Sequence, residues 1–417
     1  MPASKVWIIE PRDPFIARDS KPFGVGTSAA TLPFPFPSTT TGGVRTRAGL
    51  AGGSFIDNAG QPNQSLITAV KEIATSGALL VELNEQGEIE SWFMHAPSDA
   101  LLLEDKKDKS QAQIKILLPL DMGDGVTNLK QAPHDSNTLA PVGLAEFDPN
   151  KPFDKAPRFW RWEKFKEWLV NPENLTITID PKDLGHGGAA TETRTHVAID
   201  PNTWTSLEGQ LFQTRGLEFT HCDEKRLNAA KRLGLAVCVE DHQLAQQIKG
   251  GLAPLGGERR VVAWRESNKQ LPGECLTDIQ NIVARDKACR VMLLTPAYFT
   301  QGSKPTWLLS EQHNVKVELQ AIANGRTQVI SGWDFALIAP NHRGGLPKPT
   351  RRLAPAGSVY FLKLDGDEAY IKTWVEKMWM QCVSDDSPDG DKDQYRRDSF
   401  GLATIGVWDG QLQPMKF

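Results

Sequence analysis

One stretch of the sequence, residues 250–264, constrains the fold and the chemistry of this chain more than any other. It reads GGLAPLGGERRVVAW and combines four glycines and a proline with the adjacent Arg259 and Arg260. Glycine lacks a Cβ atom and tolerates unusual backbone dihedrals, so a loop through Gly256 and Gly257 can point several N–H groups at one place. With two arginines beside these donors, the loop suits a phosphate-bearing chain, and RNA above all.

The same layout, a helix followed by a glycine-bearing loop and a strand, is predicted twice along the chain. The first unit has a helical pattern at residues 242–249 and a strand at 260–264, where β-branched and aromatic side chains prevail. The second unit has a helical pattern at 368–382 and a strand at 402–408, joined by a polar loop that ends in Gly401. The two units share the order of their predicted elements but are not a strict sequence repeat.

The length and charge favour two domains and a shared RNA contact. The chain has 417 residues, more than one hydrophobic core usually supports, and we predict domains at residues 1–268 and 269–417. The formal net charge is −4, whereas a nucleic-acid binder that acts alone is usually basic. Any RNA contact is therefore expected to be local, or shared with partner subunits.

Cysteine spacing and hydropathy indicate the compartment. The five cysteines are widely spaced and include no CxxC pair, which fits reduced thiols better than disulfides or a zinc site. Residues 1–14 lack the apolar core of a signal peptide, and no run approaches 18 apolar residues. We therefore expect a cytoplasmic protein that makes no contact with a membrane.

A second candidate site lies just before a helical pattern of small residues at 44–51. Hydroxyl residues ahead of a helix are an N-cap signal, and helix N-termini attract anions through free N–H groups and the helix dipole. The candidate residues are Ser38, Thr39, Thr40, Gly42 and Arg45. Two interpretations stay open: these residues contact RNA, or the helix is simply capped and packs closely on a sheet.

The middle of the chain, about 104–210, is predicted to carry insertions. Residues 104–155 are polar, and we expect little core from them. Aromatic side chains at 159–169 form a stripe at helical spacing that is typical of a core or a partner-docking face, with Trp162 off the stripe.

A β-hairpin is predicted within residues 184–212, around a turn at 200–202. It carries Arg194 and His196. The hairpin could project as a wedge against RNA, or it could be a plain surface hairpin.

The second half contains further candidates. Residues 315–322 and 327–334 are predicted to pair as a hairpin, because an Asn-Gly turn signal separates them. The loop at 339–355 is basic and has no acid, whereas the acidic loop at 385–393 should point away from any RNA. The candidate RNA contacts of the basic loop are Arg351 and Arg352.

Each half therefore resembles a β-α-β-β-α-β unit. We predict an α+β fold of two ferredoxin-like (RRM-like, βαββαβ) domains with long insertions and a protruding β-hairpin.

Motifs of several enzyme classes are absent from the sequence. It contains no GxxxxGK[ST] loop, no HExxH, no Cys/His zinc spacing and no GxSxG, so we expect neither a metal nor a cofactor. A metal-independent ribonuclease needs only a few ordinary side chains, with a histidine such as His196 as general acid or base. That alternative stays open.

Seven motifs, in order along the chain, resemble one family. They read WIIEPRDPFIARDSKPFG, FPFPSTTTGGVRT, EGQLF, PLGGERR, ISGWDF, RRLAPAGSVYF and FGLATIGVWDG. In this order and over nearly the full chain, they are similar to the third subunit of the type III-B (Cmr) CRISPR effector, a RAMP-superfamily protein.

The resemblance implies two ferredoxin-like domains and a non-catalytic role. The protein would hold the repeat-derived 5′ tag of the guide RNA and dock the large polymerase/cyclase-type subunit, next to backbone RAMP subunits and only indirectly to target RNA. The residues implied by position are Gly256, Gly257, Arg259, Arg260, Gly401, the segment from Ser38 to Arg45, and the hairpin at 194–204. The alternatives are a RAMP endoribonuclease that cuts precursor guide RNA and a scaffold that binds protein only.

Overall fold

The computed structural model describes residues 4–18, 31–121, 139–175, 177–222, 230–334 and 346–415. These residues form a mixed α+β architecture with several sheets. The α-helices are α1 (Pro37–Gly52), α2 (Gln64–Lys71), α3 (Trp162–Val170), α4 (Pro181–Leu184), α5 (Leu276–Asp286), α6 (Glu368–Met378) and α7 (Gln394–Arg397).

The strands divide between two core sheets and several small ones. Those before residue 268 are β1 (Ser4–Pro11), β2 (Thr75–Leu83), β3 (Ile89–His95), β4 (Ala100–Glu104), β5 (Ala112–Ile116), β6 (Leu118–Asp121), β7 (Val142–Gly143), β8 (Phe159–Arg161), β9 (Thr178–Ile179), β10 (Gly185–His186), β11 (Ala190–Ile199), β12 (Ser206–Glu218), β13 (Thr220–Cys222), β14 (Ala230–Glu240), β15 (Gly251–Pro254) and β16 (Val261–Ser267). The later ones are β17 (Ala288–Leu293), β18 (Ala297–Tyr298), β19 (Lys316–Ala323), β20 (Gln328–Ile330), β21 (Trp333–Asp334), β22 (Leu346–Pro347), β23 (Arg351–Ala354), β24 (Val359–Asp365), β25 (Gln381–Cys382), β26 (Leu402–Val407) and β27 (Gln413–Pro414).

The first core sheet is built around β1. Its strand order is β10-β8-β3-β2-β14-β1-β16-β15, and neighbouring strands are antiparallel. Side chains of a strand alternate between the two faces of its sheet. Val6 and Ile8 belong to the larger core cluster, whereas Trp7 and Ile9 belong to a second cluster on the opposite face. Both faces of the strand are therefore covered, which explains its nearly continuous apolar sequence.

The second core sheet has the order β19-β24-β17-β26-β25, again antiparallel. Every residue of β17 is buried. The helices α5 and α6 pack against each other and bury Ile279, Val283 and Trp374 in the larger core cluster. That cluster also contains Val6 of the first sheet and Trp408 near the end of the chain, so one apolar core joins the two sheets.

The two sheets share a strand order but differ in their helices. Four strands form the centre of each sheet, and they can be numbered one to four by their order along the chain. Across the first sheet they lie in the order two, three, one, four, which is β2-β14-β1-β16. Across the second sheet the order is the same, β19-β24-β17-β26. In the first sheet, a 3₁₀ turn at Ala245–Gln247 stands where a second helix was predicted. In the second, α5 precedes β17, and the link from β17 to β19 contains only turns and the short strand β18. The ferredoxin-like assignment and the domain boundary at 268 remain predictions.

Several sequence expectations were wrong. The strands β19 and β20 do not form a hairpin, because β19 pairs with β24 and β20 pairs with β23 in another sheet. Residues 104–155 do contribute core, since Ala112, Ile114 and Leu120 are buried, although residues 122–138 lie outside the described part. Trp162 is buried with the aromatic stripe, and its indole donates to the carboxylate of Glu274 at 2.8 Å.

The acidic loop does not point wholly outwards. The Asp385 side chain is buried, and its oxygens accept hydrogen bonds from the hydroxyls of Thr300 and Thr306 at 2.9 and 2.7 Å and from the Trp307 N–H at 2.7 Å. This carboxylate holds the chain after β18 in place. The prediction that the whole acidic loop points to solvent is therefore wrong for Asp385.

A buried histidine connects the two core sheets. His95 ends β3, its ring packs on Phe159 and Phe34, and its Nδ1 lies 3.0 Å from the carbonyl oxygen of Leu294. Burial, with the nearby charge of Arg158, lowers the pKa of His95 to about 4.

We expect the free energy of unfolding to fall as the pH drops from 6.5 to 4. In this window the unfolded chain binds the proton and the folded chain does not, so this contribution is complete above pH 6.5 and amounts to about 3 kcal/mol. Urea unfolding of the unaltered chain and of His95→Phe at several pH values measures this contribution of His95. The variant should lose the part of the pH dependence that belongs to His95; identical pH profiles would contradict this prediction.

Candidate nucleic-acid interface

A groove between α1 and the second half of the chain brings together several predicted RNA-binding residues. Its volume is about 470 Å³. The α1 side contributes Ser38, Thr39, Gly42 and Arg45, and the opposite side contributes Trp333, Lys348, Arg351 and Asp398. We call this feature the α1 groove. It joins residues about 300 positions apart in sequence.

The helix α1 begins earlier than its sequence pattern predicted. Pro37 occupies the first turn, where its missing N–H costs nothing, and Phe36 is the N-cap residue. The Ser-Thr run is therefore helical and does not cap the helix, and the Thr40 hydroxyl donates back to the Pro37 carbonyl oxygen at 3.0 Å. Thr40 is buried, whereas Gly42 is exposed, with open space where a Cβ atom would lie.

Small residues let α1 lie close to the glycine-rich stretch. A Cβ atom on Gly43 would come within 2.6 Å of the Leu255 side chain and 3.1 Å of the Trp264 ring. The guanidinium of Arg47 lies 5.3 Å from the centre of the Trp264 ring and donates to the carbonyl oxygen of Lys249. The packed-helix interpretation is thus correct for this side of α1, while Ser38, Thr39 and Gly42 line the groove.

Arg45 is not a free cation. Its guanidinium donates to the Asp398 carboxylate and, at 2.9 Å, to the Ile73 carbonyl oxygen, and only 12% of its side chain is exposed. The hydroxyls of Thr41, Thr75 and Ser399 form a chain beside it, with both O···O distances 2.7 Å. These contacts fasten α1 to the chain near Asp398, so Arg45 positions the groove wall.

Arg351 lies opposite α1 among tyrosines. Its guanidinium lies 5.8 Å from the centre of the Tyr298 ring and pairs with Asp389, and Tyr298 stacks on Tyr395 at 4.5 Å. Burial acts to lower the pKa of Arg351, but the contacts with Tyr395 and Asp389 outweigh it and the pKa is raised. Burial raises the pKa of the Tyr395 hydroxyl. Arg352, next along β23, is exposed.

The loop at Gly256 is packed more tightly than its sequence suggested. Gly256 has φ +76°, and a Cβ atom there would lie 2.6 Å from the Ile16 carbonyl oxygen. The Gly257 N–H donates to that same oxygen at 2.7 Å. The prediction of free backbone donors is therefore wrong for Gly257, whose N–H is satisfied within the protein.

The two arginines of this loop differ in their availability. Arg260 donates to the Glu258 carboxylate at 3.0 Å and is 18% exposed. Arg259 is exposed and adopts φ +51°, and no ion pair of its guanidinium is found within the described residues. Arg259 is the cation that this loop presents to solvent.

Gly401 is buried, and its N–H is also used internally. It has φ +79° and donates to the Pro296 carbonyl oxygen at 2.8 Å. A Cβ atom on Gly401 would lie 2.8 Å from the backbone nitrogen of Ser384. The Gly401 N–H is therefore satisfied within the protein, and the dihedral angle and close packing explain why a glycine stands here. The RNA contact implied for Gly401 stays a prediction.

The predicted hairpin is confirmed as β11 and β12, whose side chains are largely exposed. Arg194 donates to Glu192 at 2.6 Å. The His196 ring stacks on Phe212 with centroids 5.2 Å apart, and its Nε2 lies 2.9 Å from the Thr214 hydroxyl. These partners stabilise the hairpin itself.

The hairpin and the glycine-rich loop are anchored on the same short segment. Phe15 and Leu217 exchange backbone hydrogen bonds of 2.8 and 2.7 Å at the base of the hairpin. The next residue, Ile16, accepts the hydrogen bond from Gly257. Sequence reasoning found both elements but not their common anchor.

Two further features of the described residues bear on the site. In those ranges, no group of three or more His, Cys, Asp or Glu side chains is placed to hold a metal ion. No helix of the described chain is long and apolar enough to span a bilayer.

Comparisons with known proteins identify the family. A family model for "CRISPR-associated protein (Cas_Cmr3)" matches residues 7–408. A search of curated proteins finds no match. At 16% identity, the chain is similar to a chain of a cryo-EM structure of type III-B Cmr-beta bound to cognate target RNA and AMPPnP, with a TM-score of 0.43 and coverage of 90% of this chain and 88% of that one. A second such structure, bound to cognate target RNA, gives 16% identity, a TM-score of 0.45 and 95% coverage of both chains. Because the family model spans nearly the whole sequence, this chain belongs to the Cas_Cmr3 family, the RAMP subunits of type III-B CRISPR effectors.

Proposed function

We propose that this chain binds the repeat-derived 5′ tag of the guide RNA without catalysing a reaction. In the assembled effector it would also dock the large polymerase/cyclase-type subunit beside the backbone RAMP subunits, and it would meet target RNA only indirectly. We place this assembly in the cytoplasm. The observation that carries the proposal is the α1 groove, where Ser38, Thr39, Gly42 and Arg351 converge with Lys348 and Trp333.

The chemistry of the groove suits single-stranded RNA. Such RNA is recognised by polar contacts to phosphate and ribose together with aromatic or guanidinium surfaces that stack on bases. The α1 groove offers hydroxyls from Ser38 and Thr39, the cation of Lys348 and the indole of Trp333. A net charge of −4 is compatible with this role when neighbouring subunits share the RNA.

We also propose that both core sheets are variants of the ferredoxin-like plan. Their common strand order supports this, and each sheet has lost one helix of the βαββαβ unit to a turn. The exposed hairpin β11–β12 would then be an insertion that reaches the guide.

The non-catalytic part of the proposal is supported by how the candidate histidine is held. His196 contacts Thr214 and Phe212 within its own hairpin, so its partners are a hydroxyl and an aromatic ring. Purified protein incubated with repeat RNA in chelator should leave that RNA intact. Site-specific cleavage lost in His196→Ala would instead establish the ribonuclease alternative.

The binding role is tested by purifying the chain with its native partners and sequencing the RNA that accompanies it. We expect short guides whose 5′ ends carry the repeat-derived tag, and crosslinks from tag nucleotides to α1. A preparation that contains neither short RNA nor other effector subunits would reject the role.

Reversing one exposed charge should weaken guide retention. Arg259→Glu is expected to lower the affinity for guide RNA and to reduce the slope of log affinity against log salt by about one, because one phosphate contact is lost. Arg260→Glu should have a smaller effect on RNA, since Arg260 already pairs with Glu258. Filter binding over a salt series measures both effects.

The matched control is Arg285→Glu on α5, where the arginine is 71% exposed. Its guide affinity should equal that of the unaltered chain. Equal affinity for Arg259→Glu and this control would show that the loop does not touch the guide.

A further inference from the structure

The α1 groove contains an exposed indole, that of Trp333. Among the 12 tryptophans, ten are buried or half-buried, and only Trp204 and Trp333 have exposed side chains. Trp204 lies at the tip of the hairpin. Trp333 is 49% exposed and lines the groove. Exposed aromatic surface inside a concave polar site is a feature of ligand recognition.

The backbone around Trp333 fixes its place in the groove. Trp333 pairs with Pro347 across the short ladder of β21 and β22. The next residue, Lys348, donates its backbone N–H to the Gly332 carbonyl oxygen at 2.7 Å. The Lys348 side chain passes over Gly332, 3.4 Å from the position of a Cβ atom there. Trp333 and Lys348 both line the groove.

The opposite wall and the neighbouring strand supply groups of a different kind. Gly42 on α1 leaves open space where a side chain would otherwise project into the groove. Ser38 and Thr39 add hydroxyls. Arg351 also lines the groove, where its guanidinium is paired with Asp389. The groove thus combines an exposed indole with the Lys348 cation and hydroxyls, which matches a nucleobase joined to its phosphate and ribose.

We propose that Trp333 is the stacking platform for one unpaired nucleobase of the guide tag, with Lys348 facing an adjoining phosphate. This inference rests on the proposed function and adds to it the residue that holds a base. Stacking on an aromatic side chain tolerates any base, so Trp333 would fix the position of the tag and would read little of its sequence.

The experiment uses guides in which 2-aminopurine replaces one tag nucleotide at a time, assembled with the full-length chain in its effector complex. Stacking quenches 2-aminopurine fluorescence. We expect one strongly quenched position in the unaltered complex. Trp333→Ala should relieve the quenching at that position and weaken tag binding about tenfold. Trp333→Phe should keep most of the quenching and most of the affinity for the tag.

Two further arms identify the ligand and control the variant. A 2-aminopurine nucleoside triphosphate without guide RNA should show no saturable quenching at micromolar concentration; saturable quenching would assign the site to a free nucleotide. Phe147→Ala removes another exposed aromatic side chain, which is 84% exposed and does not line the groove, and it should leave the quenching unchanged.

The failures are distinguishable. If the unaltered complex carries no tagged guide, the proposed function itself fails. If the guide binds normally and Trp333→Ala leaves every position as quenched as before, the function stands and the stacking role of Trp333 is overturned. Loss of another subunit from the Trp333→Ala complex, with quenching unchanged, overturns it equally and assigns the indole to a protein contact.

Discussion

Replacing Asp99 by asparagine is expected to lower the free energy of unfolding by about 3 to 5 kcal/mol. Asp99 pairs with Arg290, and both side chains are completely buried. The Arg290 guanidinium also donates to the carbonyl oxygens of Trp168 at 2.7 Å and Val407 at 2.8 Å, and the Trp168 indole donates to Asp99 at 3.0 Å. Asparagine keeps the shape but leaves a buried guanidinium charge without its counter-ion. Urea unfolding followed by fluorescence measures the loss.

The double variant Asp99→Leu/Arg290→Met distinguishes the loss of one charged partner from the loss of the whole ion pair. Because removing both charges also removes both desolvation costs, it should recover much of the stability that the single variant loses. Arg285→Ala provides the exposed control, since its arginine is 71% exposed and pairs only at the surface, and it should change stability by less than about 0.5 kcal/mol. A loss below about 1 kcal/mol for Asp99→Asn would show that water reaches the pair.

This ion pair illustrates what the sequence could not predict. Asp99 and Arg290 are 191 positions apart, and Arg45 and Asp398 are 353 apart. No local sequence pattern indicates which of two charged residues so far apart will form an ion pair. Arg45 consequently looked like a free phosphate ligand, although its partner leaves it only 12% exposed.

Elements with strong local signals were predicted well. The strands β1 and β24 and the hairpin β11–β12 follow from apolar runs and turn residues, because local propensity and tertiary pairing agree there. Where they disagreed, long-range pairing prevailed. The Asn-Gly signal after β19 was outweighed by the pairing of β19 with the buried strand β24. The amphipathic helix α5 was missed, and the predicted helix at 242–249 is only a 3₁₀ turn at Ala245–Gln247.

The candidate site was predicted in pieces. Residues of the first helix and Arg351 were named as candidates from sequence, whereas the groove that joins α1 to β21 and β22 was not predicted. The predicted glycines Gly256, Gly257 and Gly401 do not line this groove. Trp333 and Lys348 were missed as site residues. The motif ISGWDF contains this tryptophan, but only the folded chain shows that its side chain remains exposed beside α1.

The glycines provide the second large effect, since two of them should respond in opposite directions to the same substitution. Gly401→Ala is expected to lower the free energy of unfolding by about 2 to 5 kcal/mol, because alanine is strained at positive φ and its methyl group would meet a backbone atom. The observed φ is +79°, and the new Cβ atom would lie 2.8 Å from the Ser384 nitrogen. Gly42→Ala should instead raise the free energy of unfolding by about 0.5 to 1 kcal/mol, because Gly42 lies inside α1 with open space around it.

Urea unfolding of both variants, followed by measurement of guide affinity at a temperature where each is folded, separates the two roles of glycine. Folded Gly401→Ala should bind guide RNA as tightly as the unaltered chain, because the Gly401 N–H is already given to Pro296. Gly42→Ala should bind it less tightly, since its methyl group would project into the α1 groove. If both variants kept their stability and both lost RNA, the glycines would serve the nucleic acid directly, and their internal packing would not be the reason for their presence.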